Sequence, residues 1–235
     1  MSADERWRAL ELAVTGCRRC PRLVSHREQA AGTRRQYRGQ QYWARPVPGF
    51  GDRGARILVV GLAPAAHGAN RTGRMFTGDR SGDFLFASLA RTGLASQPES
   101  IALGDGLALA DVFITAAVRC APPDNRPLPD EVRACAPFLL GEAQLLAEAR
   151  VYVCLGGLAW ASVHRLLKAA GAPVPSPRPP FGHLAEWQVA GPWPAVLGSY
   201  HPSQQNTFTG RLTPAMMDQV WVRAQALAGR SVRRP

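Results

Sequence analysis

Apolar runs of strand length alternate with stretches of helical periodicity through the middle of the chain. Short runs rich in branched and aromatic residues predict buried parallel strands at 56–62, 111–118, 151–156 and 195–200. Apolar residues at helical spacing predict helices at 82–92, 128–140, 157–169 and 212–228, with a proline-rich loop at 172–181. This alternation predicts one α/β domain over residues 1–235, with a parallel sheet covered by helices on both faces.

Two loops follow strands of this predicted sheet, at the end where ligands of such folds bind. The loop at 61–82 contains five glycines, so backbone amides can approach a ligand closely, but no Gly-Lys-Ser/Thr follows as in a Walker loop. The loop at 199–206 places His201 directly after an apolar strand and before Pro202. A lone histidine is more often structural, but this position favours a functional imidazole.

The formal charge of +11 comes from 28 basic and 17 acidic residues, and Lys168 is the only lysine. A genome-wide bias towards arginine explains the shortage of lysine, but it does not explain the excess of basic residues. Such a charge favours a polyanionic partner, most simply nucleic acid. The basic residues crowd a segment at 1–50, and a short arginine-rich tail at 230–235 is expected to be flexible.

Membrane insertion and secretion are not expected. No apolar run has the length of a membrane span, and no secretory signal precedes the cysteines, so we expect a cytoplasmic monomer. At 235 residues the chain is long enough to fold around a core without the help of a metal.

Four cysteines have a spacing that suits one metal centre. Cys17 and Cys20 form a C-x2-C pair, and Cys120 and Cys135 follow about a hundred residues later. Two disulfides or four unrelated core thiols are the alternatives, and an intracellular setting disfavours the disulfides. An all-thiolate ligand set favours iron–sulfur over zinc. Cys154 lies in an apolar strand and is expected to be an inert buried thiol.

The cysteine set and four further segments resemble the uracil-DNA glycosylase superfamily, and within it the iron–sulfur type B enzymes, also called family five. The segments are G-L-A-P-A, G-R-M-F-T-G-D, T-A-A-V-R-C-A-P-P-D-N-R-P and S-Y-H-P-S-Q-Q-N-T. The resemblance covers nearly the whole chain. It implies a three-layer α/β/α sandwich with a central four-stranded parallel sheet, a [4Fe–4S] cluster on Cys17, Cys20, Cys120 and Cys135, and removal of deaminated bases from DNA.

The chain departs from the related type A enzymes at two positions. Leu62 stands where they carry an acid that activates water, and Ala116 stands where they carry an asparagine that reads the uracil edge. Asp79 is the only acid between Gly61 and Gly82, and we expect it to replace the missing acid. The alternative is a turn aspartate that bonds its own backbone. Loss of the asparagine predicts that hypoxanthine, and xanthine with it, are accepted alongside uracil.

The remaining site residues take roles that the resemblance implies. His201 is expected to bond O2 of the base and Phe76 to stack on the flipped base, although Phe76 is as compatible with core packing. The turn at 61–65, with Gly61, Leu62 and Ala63, would hold the edge of the base. Further contacts with base, water or phosphate are expected from Asn125, Ser203 and Asn206, and more weakly from Asn70 and Arg71. Asn125 is equally compatible with a role as a turn former.

Two rival functions remain open at this level. One is a non-catalytic iron–sulfur protein that binds DNA or senses redox state, in which Asp79 and His201 would be dispensable. The other is a nucleotide hydrolase or esterase of similar architecture, with Ser203 as the nucleophile.

Overall fold

The central sheet is mostly parallel. The computed structural model describes residues 1–229, and the tail predicted at 230–235 lies outside them. In the described part of the chain the sheet has six strands, in the order β1-β3-β2-β4-β6-β5. They are β1 (Phe50–Gly51), β2 (Ile57–Gly61), β3 (Val112–Ala116), β4 (Val151–Leu155), β5 (Glu186–Trp187) and β6 (Ala195–Ser199).

The prediction of a four-stranded sheet is wrong in the number of strands. The four predicted strands are all present as β2, β3, β4 and β6, and each is parallel to its neighbour among these four. The two additional strands, β1 and β5, pair antiparallel at the edges and have only two residues each. Such short edge strands are set by backbone pairing alone, so they leave no hydrophobic pattern in the sequence.

Helices cover both faces of the sheet, which confirms the predicted three-layer α/β/α arrangement. Within the described residues they are α1 (Ala3–Thr15), α2 (Pro21–Gln29), α3 (Ala69–Thr72), α4 (Arg80–Arg91), α5 (Pro129–Leu145), α6 (Gly157–Ala169), α7 (Gln204–Phe208) and α8 (Pro214–Leu227), with single 3₁₀ turns at 35–37 and 123–125. The helices predicted at 82–92, 128–140, 157–169 and 212–228 correspond to α4, α5, α6 and α8. Segment 172–181 contains no helix or strand, as predicted.

Alternate residues of β2 point into two different hydrophobic cores, as the pleat of a strand requires. Ile57 and Val59 contribute to the core that includes side chains of α4 and α8. Leu58 and Val60 contribute to the core that includes side chains of α1, α5 and α6. Because both faces are covered, every residue of the four parallel strands is buried, and this explains their continuous apolar sequence.

The strand order opens a crevice at one end of the sheet. The chain goes from β2 to β3 on one side of β2, and then returns to β4 on the other side. The connections that leave β2 and β4 therefore diverge, and ligands of doubly wound sheets bind at such a switch point. No helix among residues 1–229 is long and apolar enough to cross a membrane.

Candidate functional site

A cleft of about 1310 Å³ lies beyond the carboxyl ends of β2, β4 and β6. Its walls come from the loop after β2, the 122–126 turn, the start of α6 and the segment from Tyr200 to Arg211. Eight of the predicted site residues line it: Leu62, Ala63, Phe76, Asp79, Asn125, His201, Ser203 and Asn206. Gly61 and Ala116 are not among the residues that line the cleft.

Phe76 is held in an uncommon backbone conformation at the centre of the cleft. Its φ of 52° lies in the left-handed region, which is rare for a bulky residue and is found at functional sites. A Cβ added to Gly61 would lie 2.9 Å from two carbons of the Phe76 ring. Gly61 therefore makes room for the ring, and Phe76 packs partly on the core while facing the cleft.

Ala116 lies behind this wall. It pairs with Gly61 in the sheet, is only 1% exposed, and belongs to the core on which Phe76 packs. Ala116 would therefore affect a bound base indirectly, by setting the position of Phe76 and of the buried residues beneath it, which form the floor of the cleft.

Asp79 is the N-cap of α4. Its Oδ1 accepts a hydrogen bond of 2.9 Å from the amide of Gly82, and its backbone is extended. Burial raises the pKa of Asp79, while hydrogen bonds from the amides of Gly82 and Ser81 act in the opposite direction. The carboxylate also packs against Gly68, where a side chain of any size would collide with Oδ2.

The two interpretations of Asp79 are compatible in this geometry. The aspartate does bond its own helix, as a turn residue would, through Oδ1 and the amide of Gly82, and the residue also lines the cleft. A helix N-terminus also favours the ionised carboxylate.

His201 leaves the end of β6 and faces Phe76, with the two ring centroids 5.8 Å apart. Gly156, at the end of the neighbouring strand β4, has a φ of 96° and lies beside the imidazole Cβ. Burial lowers the pKa of His201 to about 4, so the imidazole is neutral at pH 7. The Asn206 side chain donates a 2.8 Å hydrogen bond to the His201 carbonyl, so Asn206 fixes the loop that carries the imidazole.

Asn70 and Arg71 hold the glycine-rich loop in place. Asn70 is fully buried, and its amide donates a 3.0 Å hydrogen bond to the carbonyl of Arg27. The guanidinium of Arg71 bonds the carbonyls of His67 and Gly78 at 2.8 and 3.0 Å. Asn70 therefore attaches the loop that presents Asp79 to α2, and Arg71 links two parts of the loop to each other.

The sequence analysis missed one wall of the cleft, which comes from the N-terminal segment. His26, Arg34, Gln36 and Tyr37 line the cleft opposite the loop of His67. The Tyr37 ring stacks on the His67 imidazole, with centroids 6.2 Å apart, and the Arg71 guanidinium lies 4.1 Å from the Tyr37 centroid. The sequence shows arginines at 34, 35 and 38 close to aromatic residues at 37, 42 and 43, but this composition does not say where the segment packs.

The arginines of the N-terminal segment do not act as one group. Arg18 pairs with Glu28, and Arg22 pairs with Glu131 at the start of α5, each at 2.7 Å. Arg27 is buried. Of the arginines in this segment Arg34 lines the cleft, together with Arg80, Arg126 and Arg211 from later in the chain.

Cys17, Cys20, Cys120 and Cys135 line a second, small cavity between α2, α5 and the loop after β3. All five cysteines fall in the described residues and none is disulfide-bonded. Within residues 1–229 no three His, Cys, Asp or Glu side chains converge as ligands of a single ion would. Four thiolates on one zinc would lie about 3.8 Å apart, as Zn–S bonds of about 2.3 Å in a tetrahedron require. Four thiols arranged around a cavity fit a larger cluster better.

Two buried arginines border this cavity, and both leave a nitrogen without a partner. Arg27 Nη1 donates to Cys120 Sγ at 2.9 Å, and the backbone amide of Arg119 donates to Cys135 Sγ at 3.3 Å. Arg119 also forms a bidentate ion pair with the buried Glu142, in which Nη1 and Nη2 donate to the two carboxylate oxygens at 2.9 and 2.5 Å. Nε of Arg27 and Nε of Arg119 have no hydrogen-bond partner in the described structure. Buried donors around four thiols suit an anionic iron–sulfide group.

The sequence was compared with those of known proteins. Residues 48–225 match the Uracil DNA glycosylase superfamily. The chain is 54% identical over 216 residues to the Type-5 uracil-DNA glycosylase of Thermus thermophilus, covering 92% of this chain and 95% of that protein. It is 52% identical over 222 residues to the Type-5 uracil-DNA glycosylase of Mycobacterium tuberculosis, covering 94% and 81%. A Type-4 uracil-DNA glycosylase of Pyrobaculum aerophilum is 30% identical over 164 residues, covering 69% and 74%.

Proposed function

The chain belongs to the uracil-DNA glycosylase superfamily, and we propose that it removes uracil from DNA as a monofunctional glycosylase of base excision repair. It hydrolyses the N-glycosidic bond and leaves an abasic site. One observation carries this proposal: an aromatic ring, a carboxylate and a neutral imidazole, those of Phe76, Asp79 and His201, line the same cleft at the switch point of the sheet.

Base recognition begins when the target nucleotide leaves the duplex. Phe76 stacks on the flipped base, because its ring is fixed between Gly61 and the cleft. The neutral His201 donates a hydrogen bond to O2 of uracil, where negative charge develops as the bond to the sugar breaks. A neutral donor suits this role, since it stabilises the leaving anion without carrying a desolvated charge in the resting enzyme.

Asp79 acts on the sugar side of the bond. Its free carboxylate oxygen positions water and stabilises the positive charge that develops on the deoxyribose. The hydrogen bond from Gly82 fixes its orientation and favours the ionised carboxylate, opposing the burial that raises the pKa of Asp79. Leu62, which lines the same cleft, has no group that could replace it.

The segment after His201 contacts the DNA backbone and fills the gap left by the flipped base. The Ser203 hydroxyl makes no capping hydrogen bond with α7, so it is available to a phosphate. Phe208 at the end of α7 is 76% exposed, which is unusual for a large apolar side chain and suits insertion between stacked bases. Asn125 lies on the opposite rim, where its φ of 55° turns the chain.

A [4Fe–4S] cluster held by Cys17, Cys20, Cys120 and Cys135 would link the N-terminal segment to the loop after β3 and to α5. Bonds between its iron atoms and the four thiolates would hold these three parts of the chain together. Burial raises the pKa of Cys135 to about 11, so this thiol becomes a ligand only when a metal replaces its proton. Arg27 and Arg119 offset the negative charge of such a group.

The range of substrates extends beyond uracil to hypoxanthine and xanthine. Ala116, at the carboxyl end of β3, lies behind Phe76 and brings no polar group to the cleft that could distinguish one base edge from another. Discrimination of bases requires buried polar groups that a wrong base would leave unpaired.

The test uses duplex oligonucleotides that contain a single uracil or hypoxanthine, with purified holoprotein. We expect free base, detected by mass spectrometry, and strand cleavage at the abasic site after alkali. Asp79→Asn should abolish both products while binding persists, and Asp130→Asn, which changes an exposed acid on α5, is the matched control. Binding without base release by a protein that carries its full iron content would instead support the non-catalytic redox function.

A further inference from the structure

His67 lies in the cleft among groups of positive charge, and neither the reaction nor the fold accounts for this arrangement. Three groups act on its charge: Arg34 and His26 from the N-terminal segment, and Arg71 from α3. Together with burial they lower the pKa of His67. Arg34 and Arg71 stay charged at any working pH, and cations beside a cleft attract an anion.

The residues of this wall differ in whether their side chains already have hydrogen-bond partners in the protein. Arg71 is committed to the protein, since it bonds two backbone carbonyls and stacks on Tyr37. Arg34 and His26 line the cleft, and their side chains have no hydrogen-bond or ion-pair partner within residues 1–229. Arg71 and Tyr37 therefore build the wall, while Arg34 and His26 leave their donors available to a ligand.

His67 is linked to Tyr42 by one hydrogen bond. Its Nδ1 lies 3.0 Å from the hydroxyl of Tyr42, which is buried. If the hydroxyl donates to Nδ1, the proton of the neutral imidazole is on Nε2; if Nδ1 donates, the hydroxyl proton is free. Either way the pair keeps one unused donor, as an acceptor-only ligand such as a phosphodiester requires.

The place of this wall brings it close to the phosphodiesters of the flipped nucleotide. His67 precedes Gly68, and Gly68 packs directly against the Asp79 carboxylate. In the proposed reaction Asp79 lies beside the sugar of the flipped nucleotide, whose own phosphates are the nearest anions. We propose that His67, Arg34 and His26 form a subsite for one phosphodiester flanking the flipped nucleotide. This inference rests on the proposed function and adds the group that holds the extruded backbone.

The experiment pairs side-chain changes with neutral phosphates. Oligonucleotides carry deoxyuridine with a methylphosphonate at either the 5′ or the 3′ flanking position, and single-turnover excision gives the half-saturating enzyme concentration and the maximal rate. In the unmodified enzyme, one of the two substitutions should weaken binding about tenfold, the size expected for loss of a charged hydrogen bond. The variants Arg34→Gln and His67→Gln should weaken binding of unmodified DNA by a similar factor. Placing the methylphosphonate at that same position should then weaken their binding no further.

The control is Arg35→Gln, which removes the same charge from the adjacent residue that does not line the cleft. It should keep the full methylphosphonate effect. Arg34 is exposed, so its variant is expected to fold even if the change at His67 does not. Equal sensitivity of wild type and both variants at each position, or no sensitivity of the wild type at either, would overturn the subsite. Absence of any uracil release by the wild type would instead overturn the proposed function itself.

Discussion

The protonation of His201 offers a direct test of the site, because it depends on burial. Burial lowers its pKa from 6.5 to about 4, and the imidazole faces Phe76 and the Gly156 turn rather than a carboxylate. The proposed role requires the neutral ring, which donates a hydrogen bond to the base without transferring a proton. We therefore predict that His201 stays neutral from pH 8 down to about pH 5.

The lowered pKa of His201 also makes the free energy of unfolding depend on pH, and the sign of this dependence follows from the shift. The unfolded chain takes up a proton on this histidine near pH 6.5, while the folded protein does so only near pH 4. The contribution is therefore fully present above pH 6.5 and is lost as the pH falls towards 4. A shift of this size corresponds to about 3 kcal/mol, or about 6–12 °C in melting temperature for a protein of this length.

Two measurements test this prediction. Ring-labelled histidine NMR, with the His201 signal assigned by its absence in His201→Gln, should show no titration of that signal between pH 8 and 5.5. Melting temperatures of wild type and His201→Gln should then converge or cross as the pH falls from 7.5 to 4.5, because only the wild type loses this contribution. The other titrating groups are common to both proteins and cancel in the difference.

A His201 signal that titrates with a midpoint near 6.5 would refute the neutral buried imidazole. A difference in melting temperature that does not change with pH would contradict the linkage. In either case burial in the cleft would not be what keeps the imidazole uncharged.

Three further predictions concern catalysis, the cysteines and base selection. Asp79→Ala should lower single-turnover excision about 10²–10⁴-fold with little change in DNA binding, as expected for loss of a positioned carboxylate; an equal loss of binding would mean that the cap on α4 is its main role. Purified protein should contain about four iron and four sulfide ions per chain, measured colorimetrically. Cys135→Ser should lose both, while Cys154→Ala, in the core of β4, should retain them. Zinc without sulfide would refute the cluster. Ala116→Asn should shift the ratio of excision rates towards uracil over hypoxanthine, and an unchanged ratio would contradict the role given to the floor of the cleft.

Local pattern accounts for much of the site. The four parallel strands were predicted because each is buried on both faces, so its whole length is apolar. Once the strands are parallel, their carboxyl ends share one edge, and the loops that carry Asp79 and His201 must meet there. The grouping of Cys17, Cys20, Cys120 and Cys135 around one cavity was also predicted, because their spacing is typical of metal ligands.

Other features depended on contacts between distant parts of the chain. The wall formed by His26, Arg34 and Tyr37 could not be assigned to the cleft, because no periodicity specifies where a segment without strands will pack. The division of the N-terminal arginines is similar, since Glu131 neutralises Arg22 from more than a hundred residues away. The edge strands β1 and β5 exist only because the central strands offer them unpaired backbone groups.

By itself the sequence determined which segments are buried and which chemical groups are available. Burial follows from the local succession of apolar and polar side chains, which is written along the chain. The tertiary structure decided what those groups can do. Asp79 became both the cap of α4 and a residue of the cleft, His201 became neutral, and His67 was placed beside Arg34 and Arg71. The reason is physical, because protonation and hydrogen bonding depend on the solvent excluded and the charges brought near, and both are set by residues far away in sequence.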